Sequence, residues 1–293
     1  ELQAPENLKL SLENRAFKYG DAIFETIKVM HKKVIFWEDH YFRLMASMRI
    51  LRMEIPMIFS MEFLENEILK TIEASNLTND TCRVKLYVNR KEGGKYAPKT
   101  NDVDYFIALE KLEIPFYTID DVPYEVELFK DYYIYSNLLS TLKTNSKITN
   151  VLGSIFAAEN GYQNCLLLNE KKMVVEALQG NLFLVKDNLI ITPPITDGCL
   201  RGIIRKQLIG ICELSKEYHL EEKSISPFDL QKADELFISN VIMGIQPITK
   251  YRKKEFTNKV SKDLLQKLNA KARLSSLSHK LLDGFSGELD QIK

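Results

Sequence analysis

The chain predicts an α+β fold in two domains, and three observations carry that expectation. Its 293 residues exceed what one hydrophobic core usually organises, and 45% of them are apolar, enough to build two. The first half mixes amphipathic helical stretches with apolar strand-like runs, whereas the second holds short strands at hairpin spacing. Between them "EIPFYTIDDVPYEVE", with two prolines and several acids, breaks both patterns. The boundary falls near 113–123. This gives an N-terminal α/β domain over 1–118, a larger β-rich domain over 119–275 and a poorly constrained tail over 276–293.

In chain order, "KVMHKKVIFWEDH" reads as a hairpin turning at "HKK" and feeding a helix over "EDHYFRLMASMRIL". "SMEFLENEILKTIEASN" follows as a second amphipathic helix, with Phe63, Leu64, Ile68, Leu69 and Ile72 on one side. "TCRVKLYVNR" and "VDYFIALEKL" read as strands joined by the loop "KEGGKYAPKTND". Beyond the boundary come strands "YEVELFK" and "DYYIYS" and a helix "TNVLGSIFAAENG" ended by Gly161. The β series "NCLLLNE", "MVVEAL", "NLFLVKD" and "NLIITPP" is next. Helices over "LRGIIRKQLIGICELSKEY" and "SPFDLQKA" then precede one buried strand, "ADELFISNVIMGIQPI". The basic stretch from Lys250 reads as an exposed closing helix.

Composition narrows the classes of function. Lys plus Arg and Asp plus Glu are both 40, so no overall field favours nucleic acid or an anionic membrane. Small molecules are the expected ligands. Cys82, Cys165, Cys199 and Cys212 are too scattered for a zinc knuckle or a disulfide framework, which fits a reducing compartment. With no signal-like opening and no apolar run near the roughly 18 residues of a membrane span, the chain reads as cytoplasmic.

The chemistry starts in "STLKTNSKITN", where Lys143 and Lys147 stand four apart. On a helix they would share one face, either as a solvated surface pair or as a nucleophilic amine beside a second cation. Glu176 leaves the strand "KKMVVE", and in "LRGIIRKQL" Gly202 opens a helix whose next amides, those of Ile203 and Ile204, can grip an anion. Arg43 adds a bidentate phosphate candidate on an earlier helix. Amine, acid, anion-binding helix start and arginine are the parts that pyridoxal 5'-phosphate needs.

At this point "RAFKYGDAIFETIKV", "HYFRL", "LKTNSKITNVL", "VVEALQGNLFLV", "ITPP", "LRGIIR" and "DELFISNVIMGIQPI" are similar, in order, to the segments of the class IV, fold type IV pyridoxal-phosphate enzymes. That family includes branched-chain and D-amino acid aminotransferases and 4-amino-4-deoxychorismate lyase. The resemblance spans roughly 10–255. It implies that Lys143 carries the cofactor, that Glu176 pairs with the pyridine nitrogen, and that Arg43 with the Ile203 and Ile204 amides holds the phosphate. Asn181 would support the cofactor side of its turn, Asn240 and Val241 would lie toward the phosphate, and Lys147 would be the neighbouring cation. The family also implies a homodimer.

The departures from the aminotransferase pattern point to the lyase. Ile148 stands where the resemblance places a tyrosine five residues after the lysine, and Asn240, Val241 and Ile242 replace phosphate-binding hydroxyls. Lys95 occupies the place of a substrate-binding arginine, on a loop that Gly93 and Gly94 would leave free to close, and Thr26 stands where a threonine could protonate a leaving group. The expected activity is therefore 4-amino-4-deoxychorismate lyase. A class IV aminotransferase and a cofactor-binding protein without turnover are the alternatives.

Overall fold

The computed structural model describes residues 8–275, so the expected tail over 276–293 lies outside the described residues. The chain divides into two compact units, one holding residues up to Phe116 and from Asn269 onward, the other Tyr117–Leu268.

The first unit begins with a short helix α1 (Arg15–Tyr19), capped by the Asn14 side chain and stopped by Gly20. Strands β1 (Ala22–Met30) and β2 (Lys33–Val34) form the expected hairpin. His31 and Lys32 turn it with φ of 48° and 63°, the geometry that matches strand twist in a two-residue loop. Helices α2 (Trp37–Ile50) and α3 (Met61–Ala74) follow, the second capped by Ser60. Strands β3 (Thr81–Arg90) and β4 (Val103–Leu112) complete an antiparallel sheet of order β2-β1-β3-β4. Leu64, Ile68 and Ile72 recur every fourth residue, so α3 buries one stripe against Ile23 and Ile27 of β1 and Val84 and Leu86 of β3. Because strand side chains alternate, Phe24, Thr26 and Lys28 take the opposite face of β1.

In the second unit β5 (Glu125–Ile134), one strand where two were expected, lies parallel to β6 (Asn164–Asn169). Helix α4 (Ile148–Asn160) makes the crossover such a pair requires. Strands β7 (Val174–Ala177), β8 (Gly180–Lys186) and β9 (Leu189–Thr192) continue the sheet antiparallel. They are followed by α5 (Ile203–Glu213), an unforeseen parallel edge strand β10 (His219–Glu222), and α6 (Pro227–Lys232) with its capping box. The segment read as one buried strand is instead the hairpin β11 (Glu235–Asn240) and β12 (Gly244–Ile248). Gly244, at φ 72°, lets the chain reverse where a run of apolar residues gave no alternation to announce it.

The closing basic stretch also differs from expectation. It forms a small hairpin, β13 (Lys250–Tyr251) with β14 (Lys254–Glu255), before α7 (Lys259–Ser275). Leu264, Leu268 and Ala272 of α7 are buried, so the helix is amphipathic and its lysines cover only the outer side.

Gly161 ends α4 in the left-handed conformation, and a Cβ there would meet nothing within 4 Å. Gly161→Ala therefore adds only backbone strain. An equilibrium urea titration should show a loss of about 1 kcal/mol with unchanged m-value.

Candidate active site

The polar cluster of the second unit is assembled by two adjacent strands and the loop before α5. Glu176 lies inside β7, in register with Asn181 of β8 and Leu167 of β6, and is buried. Its Oε2 accepts the Leu200 amide at 2.9 Å. Asn181 donates from Nδ2 to the Leu200 carbonyl at 2.8 Å, so one residue of the loop is held from both sides. Two residues on, Gly202 is the N-cap of α5, which starts without a side-chain cap and leaves its first amides, those of Ile203 and Ile204, for an external acceptor. A Cβ on Gly202 would stand 1.9 Å from Asn181 Oδ1. Glycine is required there by close approach. Ser239, in register with Asn181 from β11, has a buried hydroxyl without a hydrogen-bond partner.

The two lysines do not share a helical face. A 3-10 turn over Leu139–Thr141 is followed by irregular chain, and α4 begins only at Ile148, with Lys147 as its N-cap. Burial lowers the Lys147 pKa below the ordinary lysine value, and the Glu176 charge opposes that shift in part. Burial also raises Glu176, against the Leu200 hydrogen bond and the lysine charges, of which Lys147 acts more strongly than Lys143. Both members of the Lys147 and Glu176 pair are thus moved toward their neutral forms. Asn150, one turn into α4, donates to the Leu178 carbonyl at 2.7 Å and ties the helix start to the turn after Glu176.

The first unit contains a second buried polar cluster. Arg43 of α2 reaches Glu25 of β1 through Nε at 2.8 Å and Nη2 at 2.5 Å, a forked pair. His40, one turn earlier on the same helix, lies with Nδ1 2.7 Å from Glu25 Oε2. An ionised carboxylate can only accept, so that nitrogen carries the hydrogen. Burial alone would raise the Glu25 pKa, but the Arg43 charge and the two hydrogen-bonding partners overcome it and bring it down to about 2. Arg43, expected at the phosphate, thus also has a carboxylate partner inside its own unit that the sequence reading did not assign.

A family model for class IV aminotransferases matches residues 22–251. The chain belongs to the class IV aminotransferases. Over 249 residues it is 28% identical to a D-alanine aminotransferase of Listeria monocytogenes, covering 83% of each protein. Over 240 residues it is 22% identical to the aminodeoxychorismate lyase of Vibrio harveyi, covering 81% of this chain and 86% of that one. The structure of the branched-chain amino acid aminotransferase from Escherichia coli superposes with a TM-score of 0.78 at 23% identity, over 89% of this chain and 88% of that one. The expected fold type IV architecture is the observed one.

The remaining expected residues of this class IV chain are placed as follows. Thr26 is buried on the face of β1 shared with Lys28, whose amine burial lowers to about 8. Asn240 is used locally: its Oδ1 accepts the amides of Ile242 and Met243, both at 2.9 Å, and its Nδ2 donates to the Gln179 carbonyl. The Val241 carbonyl accepts the Tyr117 hydroxyl at 3.0 Å. Lys95 is exposed on the loop between β3 and β4. Sequence reading missed the buried hydroxyl of Ser239. Among the described residues no His, Cys, Asp and Glu group could hold a metal ion, and no helix is long and apolar enough to cross a membrane.

The Glu25 cluster gives a pH prediction with a definite sign. The folded Glu25 value of about 2 lies below its ordinary 4.5, so its stabilisation is complete above 4.5 and is lost as pH falls toward 2. Burial also lowers His40 from its ordinary 6.5, which adds destabilisation in the same direction once pH drops below that value. Glu25→Gln should cost about 3–5 kcal/mol at neutral pH by stranding Arg43. Denaturant titrations between pH 5 and pH 2 should then show a flatter acid dependence for Glu25→Gln than for wild type.

Proposed function

We propose that this class IV enzyme is a 4-amino-4-deoxychorismate lyase that binds pyridoxal phosphate in its second unit, with Lys143 as the amine that carries the cofactor. The amine assignment is supported by one observation, that the charges of both Lys143 and Lys147 act on the buried Glu176, with Lys143 standing at the family's lysine in "LKTNSKITNVL" and Lys147 as the neighbouring cation. The surrounding groups fit the cofactor. A buried carboxylate suits a pyridine nitrogen, an uncapped helix start suits a phosphate, and the orphaned Ser239 hydroxyl is a polar atom in want of a partner.

When bound, pyridoxal phosphate supplies a ring that accepts the electrons left when a bond at an amine-bearing carbon breaks. The protein's own share is positional and acid–base. Glu176 would keep a proton at the pyridine nitrogen, while Asn181 and the Leu200 backbone hold that carboxylate in place. The Ile203 and Ile204 amides, aligned with the α5 dipole, and Arg43 would hold the phosphate. Lys143 would serve as the base that takes the proton from the substrate carbon bearing the amine. In the overall reaction the ether C–O bond of aminodeoxychorismate breaks, the enolpyruvyl group leaves and gains a proton to become pyruvate, and the ring becomes 4-aminobenzoate. Thr26 is assigned as the acid for the leaving group, and Lys95 as the cation for a substrate carboxylate.

The choice of lyase over aminotransferase is supported by the missing hydroxyls. Counted from Lys147, the fifth residue is Leu152, so neither register supplies the aminotransferase tyrosine. The turn from Asn240 to Met243 has no hydroxyl either, and Asn240 closes it through backbone amides.

Incubation with aminodeoxychorismate should release pyruvate, whereas glutamate formed from D-alanine or a branched-chain amino acid with 2-oxoglutarate would assign an aminotransferase instead. Borohydride reduction of the holoenzyme followed by peptide mapping should label Lys143, and label at Lys147 would move the role to that residue. Glu176→Gln should retain cofactor and lose on the order of 10²-fold in turnover, because a neutral amide cannot hold the pyridine proton.

A further inference from the structure

The loop that carries Lys95 is not built to swing. Gly94, at φ 75°, packs so closely that a Cβ would stand 2.1 Å from the Ala97 carbonyl oxygen, and it bridges to Pro98. Its glycines serve a tight fold rather than freedom of motion. The neck is closed by the Lys91 amide on the Asp102 carbonyl at 2.9 Å. At the tip the restraint comes from one side chain outside the loop, Arg15 of α1, which is 3% exposed. Its Nη1 donates to the carbonyls of Gly93 at 3.1 Å and Lys95 at 2.7 Å, and its Nη2 lies 3.5 Å from the Tyr96 carbonyl.

Arg15 is aimed by a carboxylate. Asp21 Oδ2 accepts Arg15 Nε at 2.8 Å and Arg90 Nε at 3.0 Å, so one acid orients two guanidinium groups. Arg90 in turn donates to Asn101 Oδ1 at 2.5 Å and to the carbonyls of Leu51 and Arg52, which pins the far end of the loop. The rings of Tyr19 and Tyr96 lie 5.6 Å apart, and the Arg15 guanidinium sits 5.0 Å from the Tyr19 ring centre. Short helix, strand end and loop are therefore one charge-organised body. A guanidinium suits this task because its planar fork reaches several carbonyls at once, which an ammonium cannot do.

We infer that Arg15 is a positioning residue for substrate: by holding the carbonyls of residues 93–96 it fixes the backbone from which Lys95 projects, so that the cation is preset for a substrate carboxylate. The substrate half of this inference rests on the lyase reading, while the clamp itself does not. Holding the backbone in advance removes the ordering cost from each binding event, so its loss should appear in KM and leave kcat unchanged.

The test uses the holoenzyme and the variant Arg15→Lys, which keeps a positive charge beside Asp21 but loses the fork. The peptide bond after Lys95 is a trypsin site whose carbonyl is held by Arg15, so its cleavage requires release of the clamp. Cleavage there should rise about tenfold or more relative to cleavage after Lys171 in the exposed turn between β6 and β7, as expected for loss of one charge-assisted hydrogen bond. In parallel, KM for aminodeoxychorismate should rise by a similar factor at unchanged kcat, and that rise should vanish when Arg15→Lys is made in a Lys95→Ala background. Unchanged relative cleavage overturns the clamp. Faster cleavage with unchanged KM overturns the positioning role and leaves Arg15 purely structural. Asp21→Asn, which removes the aiming carboxylate, provides the same readouts should Arg15→Lys fail to fold. A wild-type enzyme that releases no pyruvate, or a Lys95→Ala variant with normal KM, overturns the substrate reading, and the proteolysis arm still decides the clamp.

Discussion

Burying a carboxylate is costly unless its charge is answered, and the second unit is arranged around one such acid. Glu176 sits inside a sheet, where desolvation opposes ionisation, and the compensating groups are a backbone amide and lysine charges. Each imposes a requirement on the chain. The amide of Leu200 must be held toward the sheet, which Asn181 does from the next strand, and Gly202 must then pass within contact of Asn181. That passage places the α5 N-terminus beside the same strands. The acid and the uncapped helix start are thus coupled consequences of one burial.

A buried acid also gives meaning to the neighbouring amine. Desolvation at the mouth of α4 lowers the Lys147 pKa below the ordinary lysine value, and the Glu176 charge opposes that shift. Lys143 shares the field of Glu176 to a smaller degree. Burial moves Lys147 and Glu176 each toward its neutral form, and the lysine charges and the Leu200 amide oppose that shift at the acid.

The first unit solves a comparable problem twice. Glu25 is paired by Arg43 and His40, and Asp21 by Arg15 and Arg90. In each case one acid on or beside β1 orients basic side chains from separate elements. Removing either acid would strand two bases, which is why such clusters specify a local geometry more strongly than an exposed ion pair does. The forked guanidinium is the shared device, linking the strand to a helix in one cluster and to a loop in the other.

The sequence by itself determined the α+β class, most element positions and the family, because hydrophobic period, caps and ordered motifs are local properties of the chain. Gly161 as a helix stop, the turn at His31 and Lys32, and Glu176, Asn181 and Gly202 as members of one site were all legible in this way. What only the tertiary structure decided was which charges meet. Lys143 and Lys147 would share one face if their segment were helical, and the structure shows that they do not, because α4 begins only at Ile148. Arg43 reads as a phosphate ligand, and only the placing of β1 beside α2 shows that Glu25 also takes its fork. Gly93 and Gly94 read as freedom until Arg15, some eighty residues earlier in the chain, is found on the loop's carbonyls. Burial and electrostatic pairing depend on distances between segments remote in sequence, and local pattern does not encode those distances.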